Sequence, residues 1–178
     1  MLIQIAGLVV AAVLLYFPYV WCKFKHEDEN LYGLKWFFTP NSKRDVIFAL
    51  VFTLAPLTFV SIYWPPKWGI GGPHNPELLQ ALDMAGGGIA AAFIEETFFR
   101  GWLQTILARH LKIWLAIFLT ALIFSLSHLI LITGWLRVAT FFPGLIMGIL
   151  RHRGKSVLPG IIYHAVCNVW AVWFAPIV

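Results

Sequence analysis

The 178-residue sequence is short of charge. Only 12% of its residues are Asp, Glu, Lys or Arg, with 8 acids in all, against 60% hydrophobic residues. Soluble domains carry about twice that charge, so the composition excludes an ordinary soluble globular domain. Cysteine is scarce too. Cys22 and Cys167 show no metal-ligand spacing and cannot supply a disulfide framework. No H-E-x-x-H occurs, which leaves that class of metalloprotease unsupported, and no G-x-S-x-G elbow marks a serine nucleophile. Internal repeats, low-complexity tracts and a domain boundary are likewise missing.

What is present is apolar length. Mean hydropathy is +0.80. Six apolar blocks run at about 3–22, 46–64, 84–107, 112–133, 134–150 and 157–176. About 20 apolar residues span a bilayer core. The expectation is an all-α, polytopic transmembrane helical bundle with about six spans, forming a single membrane domain over 1–178. The first block begins at Leu2 without a basic n-region or a following A-x-A-like site, so it reads as a retained span. Blocks four and five meet at a turn around Thr133-Gly134. Asn75-Pro76-Glu77 reads as a helix start, with Asn75 as N-cap. Gly86, Gly87 and Gly88 read as small residues for close helix packing.

The net charge of +5 reads as basic loops that set orientation, not as a nucleic-acid surface. With the N-terminus outside, ten Lys and Arg fall in inner loops (23–45, 109–112 and 151–155) and two, Lys67 and Arg137, in outer ones. This bias predicts both termini on the non-cytoplasmic side. The first loop, 23–45, is the most polar stretch. His26, His74, His110 and His152 lie near loops and read as solvated.

Few strongly polar residues remain within the blocks: Glu95, Glu96, Arg100, Gln104, His128, His164 and Asn168. A charged side chain at a helix centre costs roughly 2.5–3.5 kcal/mol on insertion scales, so such groups face the bundle interior and mark candidate sites. Glu96 and Arg100 are four apart and pair on one helix face. Glu95 lies about 100° around the helix from Glu96 and projects elsewhere. Phe124 and His128 repeat the four-residue spacing, as do His164 and Asn168. Taken singly, each has a plain structural reading: a backbone-bonded histidine, an asparagine joining helices, an ion pair acting as a clamp. Together they bring a glutamate, two histidines and an asparagine from three helices toward one polar pocket. A carboxylate and an imidazole can hold and deprotonate water, with Asn and a second His donating to an oxyanion. Glu and two His can equally bind zinc.

Three of these stretches stand in a familiar order: EETFFR (E-E-x-x-x-R), FSLSH (F-x-x-x-H) and HAVCN (H-x-x-x-N). In that order, each inside an apolar block, they resemble the glutamic intramembrane proteases of the CPBP family. That family includes type II CAAX prenyl endopeptidases and bacteriocin-processing or self-immunity (Abi) proteins. The resemblance covers a core at 84–176. It implies an endopeptidase in which Glu95, assisted by His128, activates water. His164 and Asn168 would form the oxyanion site, Glu96 and Arg100 would order it, and Phe124 would pack beside it. It implies no metal or other cofactor, and a membrane protein or peptide as substrate. The compact chain is similar to prokaryotic members in an inner membrane, some of which are paired with C-terminal protein-sorting signals. The alternative is a non-catalytic immunity or scaffold protein that binds a peptide in the same pocket.

Overall fold

The computed structural model describes residues 2–63, 75–131 and 135–174. His74, Lys67 and the Thr133-Gly134 turn lie outside the described residues, as does most of the second loop. Among the described residues the regular structure is helical throughout. Helix α1 is Leu2–Lys25, α2 is Pro40–Tyr63 and α3 is Leu78–Glu96. A π-helical segment, Thr97–Leu103, joins α3 to α4, Gln104–His110. Then come α5, Ile113–Leu131, a 3-10 turn at Trp135–Thr140, α6, Phe141–Gly154, and α7, Leu158–Phe174. The six apolar blocks correspond to these six rods.

Among the described residues, three rods are long and apolar enough to cross a membrane: Ile5–Lys25, Pro40–Tyr63 and Leu78–His110. Two more, Ile113–Leu129 and Leu158–Phe174, are apolar but shorter. This is an integral membrane helical bundle. Pro18 and Pro56 sit inside α1 and α2; such prolines are tolerated in membrane helices, where neighbouring groups re-satisfy the freed carbonyls. The 33-residue rod Leu78–His110 is roughly 50 Å long at 1.5 Å per residue. It exceeds a bilayer core of about 30 Å and must tilt or overhang.

Two helix starts differ from expectation. Helix α2 begins at Pro40, before the apolar block, because the Thr39 and Ser42 side chains and backbones bond reciprocally there. Helix α3 begins at Leu78 with Glu77, not Asn75, at the N-cap position. Glu77 is extended (φ −60°, ψ 148°) and makes no side-chain cap bond.

The loop ends converge on one end of the bundle. Arg109, at the end of α4, makes a two-pronged ion pair with Glu27 at 2.8 and 2.9 Å. Tyr32 accepts from Arg109 and from the Trp21 indole, and donates to Glu27. Arg153 bonds Asp45 at 2.7 Å. The ends of α1, α4 and α6 and the start of α2 therefore share one cationic end. The core lies where α3 and α7 pack together and where α6 packs on α5 and α7.

Candidate active site

The π-helical segment opens immediately after Glu95-Glu96 and contains Arg100. π-helical turns inside α-helices recur at functional sites. Thr97 bonds back to the Phe93 carbonyl at 2.7 Å. Arg100 donates to Glu96 Oε1 at 2.8 Å, and both side chains are fully buried. Its other nitrogen donates to the Gly144 carbonyl of α6 at 3.2 Å. Gln104 repeats the move toward the Gly148 carbonyl at 3.1 Å. The residues at 96, 100 and 104 thus form a polar seam that fixes α6 against the π segment. Gly144 and Gly148 of α6 allow this approach: a Cβ on Gly148 would meet Ile117 at 2.7 Å, and one on Gly144 would meet Ala121 at 3.2 Å.

Helix α7 delivers its polar residues to the same level. His164 Nδ1 lies 3.1 Å from Glu96 Oε1, and its Nε2 lies 3.8 Å from Glu95 Oε2. A carboxylate already accepting from Arg100 can only accept again, so Nδ1 carries the hydrogen. His164 therefore stands between the two glutamates. Glu96 does more than neutralise Arg100, because it also fixes the ring that faces Glu95. One turn earlier on α7, a Cβ on Gly160 would meet Glu96 Oε2 at 2.8 Å. The sequence reading passed over Gly160; its only trace is its place four residues before His164.

Helix α5 supplies the facing wall. His128 Nδ1 lies 2.9 Å from the Phe124 carbonyl. A carbonyl only accepts, so Nδ1 is the protonated nitrogen and neutral His128 presents Nε2 as an acceptor. Phe124 is fully buried and central. The Arg100 guanidinium sits 4.2 Å over its ring, and the rings of His128 and His164 meet it edge to face at 4.6 and 5.8 Å.

Glu95, Phe124, His128, His164 and Asn168 together line a cavity of about 230 Å³. Ala91, Thr140, Pro143, Met147, Tyr163 and Cys167 complete it, and sequence reasoning named none of these as site residues except the motif cysteine in passing. Space of this size admits water and a small side chain. Tyr163 is tied to Thr53 of α2 at 2.8 Å. Asn168 donates from Nδ2 to the Gly88 carbonyl of α3 at 2.9 Å. That bond is the helix-joining role considered for it. The amide's second hydrogen is left for other work. The close approach rests on Gly88, where a Cβ would meet Asn168 Cβ at 2.9 Å. Gly86 and Gly87 have nothing within 4 Å at the Cβ position among the described residues, so it is Gly88 that serves packing against α7.

The family comparison bears on this arrangement. Residues 77–170 match the family of type II CAAX prenyl endopeptidase Rce1-like proteins. The match spans more than half of the chain and contains every residue of the polar cavity discussed above.

The chain belongs to the Rce1-like family.

It is thus a membrane-embedded protein of a family of CAAX-type endopeptidases, within the CPBP group. Neither the curated proteins nor the solved structures gave a match. The Rce1-like match begins at α3 and ends in α7, so α1 and α2 lie outside it. Among the described residues, no group of three His, Cys, Asp or Glu side chains has the spacing of a metal site. Cys22 is buried and Cys167 lines the cavity, both as free thiols.

Proposed function

We propose that this Rce1-like protein is a glutamic intramembrane endopeptidase. One observation carries the reading: Glu95, His128, His164 and Asn168, from three helices, wall a single cavity inside a membrane bundle. Glu95 takes a proton from a water held between its carboxylate and His128 Nε2. The resulting hydroxide attacks the carbonyl carbon of the scissile peptide. The oxyanion receives hydrogen bonds from the second Asn168 amide hydrogen and from His164. His164 can donate from Nε2 only as the imidazolium, because its Nδ1 hydrogen is engaged by Glu96. The proton then passes from Glu95 to the leaving amine nitrogen, and the C–N bond breaks. Glu96, Arg100 and Phe124 act through position: they fix the two imidazoles and the α3–α6 spacing. Residues 1–178 work as one membrane domain around a core at 84–176, without metal.

The substrate is a membrane-associated or exported protein cut near one of its ends. The distribution of Lys and Arg supports both termini on the non-cytoplasmic side of a prokaryotic inner membrane. A site reached from that side suits exported substrates; action confined to cytoplasmic termini would refute this part.

Membranes carrying the wild-type protein should release a defined fragment that membranes carrying Glu95→Gln do not. Cleavage should survive a zinc chelator. Loss with the chelator and recovery with zinc would replace the glutamate mechanism with a metal one. Undiminished biological activity in Glu95→Gln would favour the immunity or scaffold alternative.

A further inference from the structure

The connection between α1 and α2 reads from its sequence as a polar loop in water. Its structure is otherwise. From Glu27 onward the segment runs along the α4–π–α3 rod, from the rod's cationic end toward its middle. Glu27 holds Arg109, Leu34 lies where a Cβ on Gly101 would meet it at 2.8 Å, and the Trp36 ring packs on Phe93 at 5.2 Å. Phe93 lies two residues before Glu95, inside a membrane helix.

The backbone of this stretch, a 3-10 turn at Glu29–Tyr32 followed by irregular chain, is fastened to protein. The Leu31 carbonyl accepts from Arg151, Gly33 N–H and Leu34 N–H bond within the turn, and the Gly33 carbonyl accepts from Val157 N–H at 2.9 Å. The Ser156 hydroxyl donates to the Lys35 carbonyl at 3.1 Å and accepts from Phe37 N–H at 3.3 Å. Irregular backbone at membrane depth requires such partners, because lipid offers no hydrogen bonds.

The outer face of the segment is apolar except for Lys35, which pairs with Asp28 at 3.3 Å. Leu31, Trp36 and Phe37 are 57%, 52% and 40% exposed. They continue the lipid-facing surface made by Phe24 of α1 and Ile47 and Phe48 of α2, which are 74%, 62% and 55% exposed. Lys23, Lys25, Lys35 and Lys43 flank this face with the charge that complements anionic headgroups.

We infer that residues 31–37 are seated in the bilayer, at the boundary of headgroups and acyl chains in the leaflet at the cationic end. Leu31, Trp36 and Phe37 enter the acyl region, as the apolar face of an interfacial segment does. The bilayer is the partner of this surface.

Spin labels test the placement directly. Leu31→Cys, Trp36→Cys and Phe37→Cys are made singly in a Cys22→Ala, Cys167→Ala background and reconstituted in phosphatidylcholine–phosphatidylglycerol vesicles. Collision rates with oxygen and with a water-soluble nickel chelate are measured. His110→Cys, exposed at the same end, is the water reference, and Phe52→Cys, on the exposed face of α2, is the lipid reference. The oxygen-to-nickel ratio at 31, 36 and 37 should exceed that at 110 several-fold and approach that at 52. Ratios like that at 110 overturn the placement. Low collision with both reagents also overturns it, since protein rather than lipid would then cover the face. If Trp36→Cys fails to fold for want of its Phe93 contact, the labels at 31 and 37 decide the question.

Discussion

Replacing Arg100 with methionine removes three contacts at once. These are the 2.8 Å bond to Glu96, the 3.2 Å bond to the Gly144 carbonyl, and the guanidinium 4.2 Å above Phe124. Breaking a buried pair from one side costs about 3–5 kcal/mol, because the remaining Glu96 charge keeps only its His164 hydrogen bond and has no water. A desolvated cation–ring contact adds about 2 kcal/mol and an orphaned carbonyl about 1–3 kcal/mol. These terms overlap, because all three contacts belong to one guanidinium, so about 3–5 kcal/mol is the expected total. Glu96→Leu strands Arg100 and should cost a similar amount. The double variant, Glu96→Leu with Arg100→Met, leaves neither charge buried and should cost far less than the two singles together. Stability is read by titrating mixed micelles with a denaturing detergent. Proteolysis separates from stability in the double variant: it should remain lost, because His164 no longer has the Glu96 carboxylate on Nδ1. If the double variant is as unstable as the two singles summed, the pair is not a coupled unit. If it is stable and fully active, Glu96 does not position His164.

The other expectations are narrower. Asn168→Ala removes one interhelical hydrogen bond, worth about 0.6 kcal/mol and at most about 1.7 in a membrane helix pair. If Asn168 also serves the oxyanion, turnover should fall roughly 100- to 1,000-fold, so stability and activity measured together separate the two roles. Gly88→Val forces α3 off Asn168 and should cost about 1–3 kcal/mol by overpacking, whereas Gly86→Val, with open space at its Cβ, should cost clearly less in the same titration. Arg109 and Tyr32 hold Glu27 at about 2, below the ordinary carboxylate value of 4.5. A depressed carboxylate stabilises fully above its unfolded value and loses that contribution as pH falls toward the folded one. Limited proteolysis of the α1–α2 connection should therefore be slow and constant above about pH 5, and should speed up progressively as pH falls from about 4.5 to about 2.

Much of this site could be read from spacing. Four-residue intervals predicted the Glu96–Arg100 pair and placed Phe124 over His128, because that interval aligns side chains on any helix. The six blocks were visible because lipid demands apolar length. The π-helical segment was not, since TFFRGWL carries no local signal for its wider turn; it arises from the packing that α6 carbonyls impose on Arg100 and Gln104. The 100° offset correctly separated Glu95 from Glu96, yet spacing within one helix could not foresee that a third residue, His164, would reach both. Gly160 and Gly88 acquire meaning only from the partner helix. The start of α3 was misplaced because Asn75 suits an N-cap by type, whereas the helix starts two residues later, after Glu77, which caps by backbone geometry alone. The first loop reads as the most polar stretch because of KFKHEDEN and NSKRD; its hydrogen bonds to Arg151, Ser156 and Val157, remote in sequence, were not legible there.

The claim that Glu95 cuts protein chains is tested most directly in host cells. Protein termini are mapped by mass spectrometry in membranes carrying wild-type protein or Glu95→Gln at equal abundance. The account predicts a defined set of membrane or exported proteins that keep an uncleaved end segment only with Glu95→Gln. Identical termini in the two membranes, with a phenotype on deletion of the whole protein, would contradict it and leave a pocket that binds without cutting.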